Sequence, residues 1–153
     1  MNLRDTAAPA AEVVRALGLL AHPEGGHFRE TWRDQPDDGS RGAGTAILFL
    51  LAAGEVSHWH RVDADELWLW QAGAPLLLRR SAVGGRADGR TVADSRLGPD
   101  LAAGEALQLL VPRRCWQNAA SLGAWSLVSC VVAPAFRFAG FELAAAGWRP
   151  TAD

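Results

Sequence analysis

From residue 27 onward the chain is a succession of short apolar runs closed by Gly, Pro, Asp or Asn, and this rhythm leaves little choice of fold. Runs at 28–32, 45–52, 57–62, 66–71, 74–81, 91–97, 107–111, 116–120, 125–133 and 138–143 have strand length and turn chemistry between them. Residues 34–43 are polar and read as a surface loop; 82–90 hold three Gly and read as a hairpin loop. Alternation in the first run puts Phe28 and Trp32 on one face. Before residue 27 the spacing of Val13, Val14, Leu17 and Leu20 predicts one helix over about 6–20, capped by Thr6 and stopped at His22-Pro23-Glu24-Gly25-Gly26. Many short strands after one helix predict an all-β sandwich or barrel, with the barrel over about 26–144 and one domain over 1–153.

Several of these strands are apolar on both faces. Ile47, Phe49 and Leu51 alternate with Ala46, Leu48 and Leu50; Trp68 and Trp70 alternate with Leu67 and Leu69. An antiparallel strand with one side in water needs a single apolar face. The second face must be covered by the helix, by the N-terminal strand or by another subunit, so a homodimer is expected.

Composition narrows the chemistry. All 15 basic residues are Arg, which removes Schiff-base chemistry, a pyridoxal-phosphate lysine and the lysine of a nucleotide phosphate loop. No pyridoxal phosphate and no nucleotide cofactor are expected. The absence of Tyr excludes a phenolic acid. A net charge of −2 gives no electrostatic reason to expect nucleic acid or an anionic membrane as partner. The first residues lack the apolar run of a signal peptide, and no apolar stretch approaches the roughly 18 residues of a membrane span, so a soluble cytoplasmic protein is expected. Cys115 and Cys130 read as buried small apolar residues rather than a disulfide.

The segment from Gly54 to Gly73 carries the candidate chemistry. Alternation puts His58 and His60 on one face of a strand, and Glu66, Trp68 and Trp70 on one face of the next. If both faces turn inward, two imidazoles and a carboxylate converge, a set able to hold a divalent metal with open positions.

This segment resembles the first motif of the cupins: a glycine, H-x-H, a short gap, a glutamate, six residues and a glycine. Gly104, Pro112, Gln117 and Asn118 resemble the second motif, with Arg114 where glycine is usual and Gln117 where a fourth ligand, histidine, is usual. The run from His22 through Gly25-Gly26 to Phe28, Arg29, Glu30 and Thr31, with His60-Arg61, Asp65-Glu66, Trp68, Trp116-Gln117 and Pro134, is similar to one group of small stand-alone cupins. The resemblance spans about residues 12–143 and implies an RmlC-like jelly roll, a double-stranded β-helix, usually dimeric. It implies no reaction.

Two readings of the centre follow. In one, His58, His60, Glu66 and Gln117 hold iron, manganese, nickel or zinc weakly, because an amide oxygen is a poorer ligand than imidazole. In the other the pocket is metal-free, and His60, Glu66 and Gln117 form a polar cluster for an organic ligand, with His60 as a general base oriented by the carboxylate. His60 and Glu66 are the candidate catalytic pair in both. Trp68, Trp70 and Trp116 are either core packing or an aromatic wall. Arg29 either grips a carboxylate or phosphate or makes a surface ion pair, and Glu24 and Glu30 either line the pocket mouth or are edge charges. The expected function is an isomerase or metal-assisted enzyme acting on a small polar metabolite; the alternative is a non-catalytic small-molecule binding protein.

Overall fold

The computed structural model describes residues 1–4, 7–83, 86–87 and 92–150. Thr6, proposed above as the helix cap, and residues 84–85 and 88–90 of the expected 82–90 hairpin loop lie outside them. Helix α1 spans Ala10–Leu17, shorter than the sequence suggests at both ends. Pro9 is extended, with φ −62° and ψ 142°, and Pro disfavours helical backbone in the residue before it, so the helix starts at Ala10. Gly18 adopts the left-handed conformation and stops the helix before the Gly-Gly pair does; its N–H donates to Arg15 and that of Leu19 to Val14.

Among the described residues, eleven strands form two antiparallel sheets. The first has the order β1 (Leu20–Ala21), β2 (His27–Arg33), β3 (Thr45–Ala52), β12 (Trp125–Ala133), β5 (Asp65–Gly73) and β10 (Gln108–Val111). The second has the order β13 (Phe141–Leu143), β4 (Val56–Val62), β11 (Gln117–Ser121), β6 (Leu76–Arg80) and β9 (Ala93–Leu97). A separate short hairpin joins β7 (Ala82–Val83) to β8 (Arg86–Ala87). Residues 138–140, expected as strand, form a 3-10 turn ahead of β13.

The facing sheets enclose two unlike ends. One is filled by Phe49, Leu51, Trp68, Leu76, Leu78, Leu97, Val111 and Val128, all essentially without solvent contact. At the other end polar side chains come inward. Outside the first sheet α1 inserts Val13 against Leu50, Ala72, Trp125 and Leu127. Burying one such valine is worth about 1.5–3 kcal/mol. The helix therefore covers part of the second apolar face noted above.

Strand irregularities decide which residues turn inward. In β2 a register shift between Glu30 and Trp32 pairs Phe28 with Phe49 but Trp32 with Ala46. Trp32 thus leaves the face of Phe28, contrary to simple alternation, and is half exposed. In β5 a shift pairs Trp70 with Val128 and Ala72 with Leu127, moving Ala72 to the helix-covered side. Arg114 has φ 65°, the left-handed backbone that glycine adopts most freely, at the motif position where a glycine is usual.

Candidate functional site

The most consequential irregularity is in β4. Gln117 of β11 stands opposite His60, but Ala119 stands opposite Ser57, so β4 spends three residues where β11 spends two. The extra residue flips the alternation. Ser57 and His60 are both buried, whereas His58 is exposed. The expectation that His58 and His60 share an inward face is therefore wrong: His58 lies on the outer surface, in a shallow hollow with Trp59 and the segment 143–148. Its imidazole contributes no ligand to the interior.

The inward place is taken by a residue from the loop before β2. The His58 N–H donates to the Glu24 carbonyl at 2.8 Å, and the Ser57 hydroxyl donates to Glu24 Oε1 at 3.0 Å. The close approach of this loop requires Gly25: its φ is 102°, and a Cβ there would stand 2.3 Å from the Val56 carbonyl oxygen. Glu24 is thereby fixed with Oε2 3.1 Å from His60 Nε2.

Hydrogen-bond partners set the proton positions. His60 Nδ1 lies 2.7 Å from the His58 carbonyl, which can only accept, so Nδ1 carries hydrogen. In a neutral imidazole Nε2 is then an acceptor, and the proton between it and Glu24 belongs to the carboxyl. Electrostatics agree. Burial raises the Glu24 pKa to about 8, against a smaller lowering by Ser57. Burial lowers that of His60, opposed by the charge of Glu66. Nearby, His22 Nδ1 accepts the Glu24 N–H at 3.1 Å, and burial with the charge of His60 lowers its pKa to about 4.

Glu66, on β5, faces this pair. Burial raises its pKa to about 7, His60 pulls it down and Glu24 pushes it up. Gln117 Nε2 donates to Glu66 Oε2 at 2.5 Å, and Gln117 Oε1 accepts the Trp68 indole N–H at 2.9 Å. The indole only donates, so the amide cannot be turned the other way without stranding it. The Cys130 thiol also bonds Glu66, and burial raises its pKa strongly. Cys130 and Cys115 are both buried, and neither is in a disulfide.

His22, Glu24, His60, Glu66 and Cys130 line a cavity of about 70 Å³, walled on its apolar side by Phe28, Ile47, Val62, Val132 and three further phenylalanines, Phe136, Phe138 and Phe141. Glu30 and Arg33 stand in the lining too. Of the residues singled out in the sequence, His60 and Glu66 line the cavity, while Gln117 and Trp68 sit behind Glu66 and orient it. Trp70 packs against the filled end with its N–H on the Ala74 carbonyl. Trp116 lies outside, between Trp148 at 4.5 Å and the Arg61 guanidinium at 4.7 Å. Arg29 is exposed. Neither the aromatic wall of Trp70 and Trp116 nor an anion grip by Arg29 exists at this cavity; the wall is phenylalanine. Ser57 and the three phenylalanines were assigned no role from sequence; Glu24, expected at the pocket mouth or as an edge charge, reaches His60 in the interior. A carboxylate ahead of Gly-Gly and a serine beside H-x-H were the available signals.

The four-residue metal set does not fit. His58 faces out, the Gln117 oxygen is turned to Trp68, and what Gln117 presents to Glu66 is an N–H. His60 Nε2 is engaged by Glu24. Among the described residues no group of three or more His, Cys, Asp or Glu side chains is arranged to hold a metal ion.

A closed pair of antiparallel sheets, with histidine and carboxylates converging at one open end, defines a jelly-roll barrel built around a small internal pocket. The chain belongs to the cupin superfamily, matching the family DUF985 over residues 11–144. It is similar to protein SO0799 from Shewanella oneidensis, with 39% identity, TM-score 0.81, and coverage of 90% of this chain and 85% of that one. A hypothetical protein from Leishmania major is 30% identical, with TM-score 0.79 and coverage of 90% and 88%. An oxalate decarboxylase from Bacillus subtilis, 14% identical with TM-score 0.60, shares the fold over 80% of this chain and 29% of its own length. No curated protein matches the chain. Among the described residues no helix is long and apolar enough to cross a membrane.

Two outcomes check this description. Folded Glu24 keeps its proton to about 8 and the unfolded chain only to about 4.5, so the folded state holds the extra proton between those values. Its contribution to stability therefore falls as pH rises through that window. His22 acts oppositely, adding stability as pH rises from about 4 to 6.5 and nothing further above. Denaturant melts should show stability declining from pH 6.5 to 8, and Glu24→Gln should remove most of the decline; an unchanged slope would show that Glu24 is ionised when folded. Separately, protein incubated with iron, manganese, nickel or zinc and then desalted should retain well below one equivalent by elemental analysis. Retention of a full equivalent would mean that the amide of Gln117 turns over.

Proposed function

We propose that the chain is a small-molecule enzyme that moves protons on a small polar metabolite, as an isomerase or epimerase does, without a metal. The observation supporting this reading is the pair of inward carboxylates held by different partners around one histidine. Glu66, with a pKa near 7, is partly ionised at neutral pH and serves as base. Glu24, with a pKa near 8, is mostly protonated there and shares its proton with His60 Nε2; this pair serves as acid. A proton on a carbon next to a carbonyl passes to Glu66 as its electrons move toward the oxygen. The proton held by Glu24 and His60 passes to the substrate on its other side. Exchange with water through the cavity mouth resets both groups. Gln117 and Trp68 are positioning residues that hold the Glu66 carboxylate by its Oε2.

A pool of small carbonyl and hydroxy metabolites in D2O, followed by proton NMR, tests this. Enzyme-dependent loss of a carbon-bound proton signal is expected, fastest between pH 7 and 8, where base and acid are both in their working forms. Glu66→Gln should slow it by at least about 100-fold. If some metabolite raises the melting temperature yet none exchanges, the chain is a binding protein and the catalytic reading fails.

The pairing of chains expected from the two-faced strands also has a candidate surface. Trp32, Ala46, Val131, Leu67 and Leu110 are mutual neighbours in one row across the outer face of the first sheet, clear of the cluster packed on α1. Trp32 and Leu110 are about half exposed. A second copy of the chain laid on this row makes a homodimer. Light scattering at micromolar concentration should give twice the chain mass, and Leu110→Arg should halve it; a monomeric wild type would remove the proposal.

A further inference from the structure

The lining of the cavity also bears on what it selects, on the reading that this is the substrate pocket. We propose that it takes the head group of a compact organic cation, an ammonium carrying small apolar substituents. The inward polar groups are acids and neutral bases. Glu24 comes from the loop before β2 and Glu66 from β5; the acceptor nitrogens of His22 and His60 are taken by the Glu24 N–H and the Glu24 carboxyl, so neither ring adds a positive charge. The thiol of Cys130 bonds Glu66 rather than opposing it. The one cation in the lining, Arg33, is already spent. Its Nε and Nη2 donate to Glu30 at 2.8 and 2.7 Å, and its Nη1 donates to the Phe136 carbonyl at 2.7 Å. An anionic ligand would meet two carboxyl groups and no free positive charge.

The apolar wall fits the same ligand. Phe136, Phe138 and Phe141 stand within 5.1–6.1 Å of one another, edge to face, and Phe28 adds a further ring to the lining, against His22 at 4.5 Å. Aromatic rings attract a cation by their quadrupole, most strongly where water is excluded. A cavity of about 70 Å³ is smaller than one of about 150 Å³ that takes benzene. It admits a head group, while the rest of a ligand leaves past Phe138, which is 61% exposed at the mouth. A bound ammonium would draw both carboxyl groups toward ionisation, so binding releases protons. A neutral ligand of the same shape has no such effect, and an anion has the reverse.

Calorimetric titration of the full chain at pH 7, in two buffers of different ionisation enthalpy, tests this with choline and methylammonium, with 3,3-dimethylbutanol as the neutral shape match of choline, and with pivalate as an anion. Choline should bind with proton release and at least about tenfold more tightly than 3,3-dimethylbutanol. Glu66→Gln should abolish most of that preference. Phe138→Ala, at a position 61% exposed, should weaken choline several-fold. Equal or tighter binding of the alcohol or of pivalate, or indifference of choline to both substitutions, overturns the cation assignment while leaving the pocket and its proton chemistry standing. Binding of none of the four overturns the assignment as well; the deuterium-exchange measurement then decides separately whether the proton chemistry survives.

Discussion

One extra residue in β4 carries the rest of the site. Without it, His58 and His60 would share the interior by strict alternation. With it, Ser57 and His60 turn inward, His58 turns out, and the vacated place is filled by Glu24 from a loop that only Gly25 allows to approach. The Ser57 hydroxyl and the His58 N–H then hold that loop at both its side chain and its backbone. A bulge is tolerated here because the strand lies near the edge of its sheet, covered only by the three residues of β13.

The second constraint is polar satisfaction at the boundary between the packed and open ends of the barrel. Trp68 belongs to the apolar cluster, yet its indole N–H needs an acceptor. Gln117 supplies it and, by doing so, has its amide orientation imposed, with the N–H aimed at Glu66. Core packing thus sets the hydrogen bonding of a carboxylate that lines the cavity. Leaving any member of this chain unpaired would cost about 1–3 kcal/mol. The same orientation makes the site unlike the four-donor arrangement that its spacing suggests.

Burial then gives these groups their properties. Two carboxyls and two imidazoles in a space that admits little water are each pushed toward their neutral forms, and shared hydrogen bonds replace ion pairs. The close contact of His60 and Glu24 is one proton between two heavy atoms rather than two opposite charges. The cavity is consequently a weakly charged chamber closed by phenylalanine; Arg41 and Arg137 on Asp63 and Arg113 on Asp65 stand outside it, and Arg33 in its lining is paired with Glu30.

What was legible in the sequence is what depends on short-range pattern: the all-β barrel with a helix before it, the approximate limits of β3 and β12, and the inward placement of His60, Glu66 and Gln117. These follow from periodicity, turn residues and motif spacing. Invisible were the features that depend on partner strands. Trp32 and His58 were assigned the wrong face because alternation assumes an unbroken ladder, and a bulge is created by the register of two strands rather than by either one. Glu24 is far from His60 along the chain, and only the tertiary fold brings their side chains together. The orientation of the Gln117 amide likewise comes from Trp68, distant in sequence and adjacent in the closed barrel. The sequence by itself determined which chemical groups the chain can bring inside. Which of them arrive, and which atoms they present, was decided by strand register and by the need to pair each buried polar group.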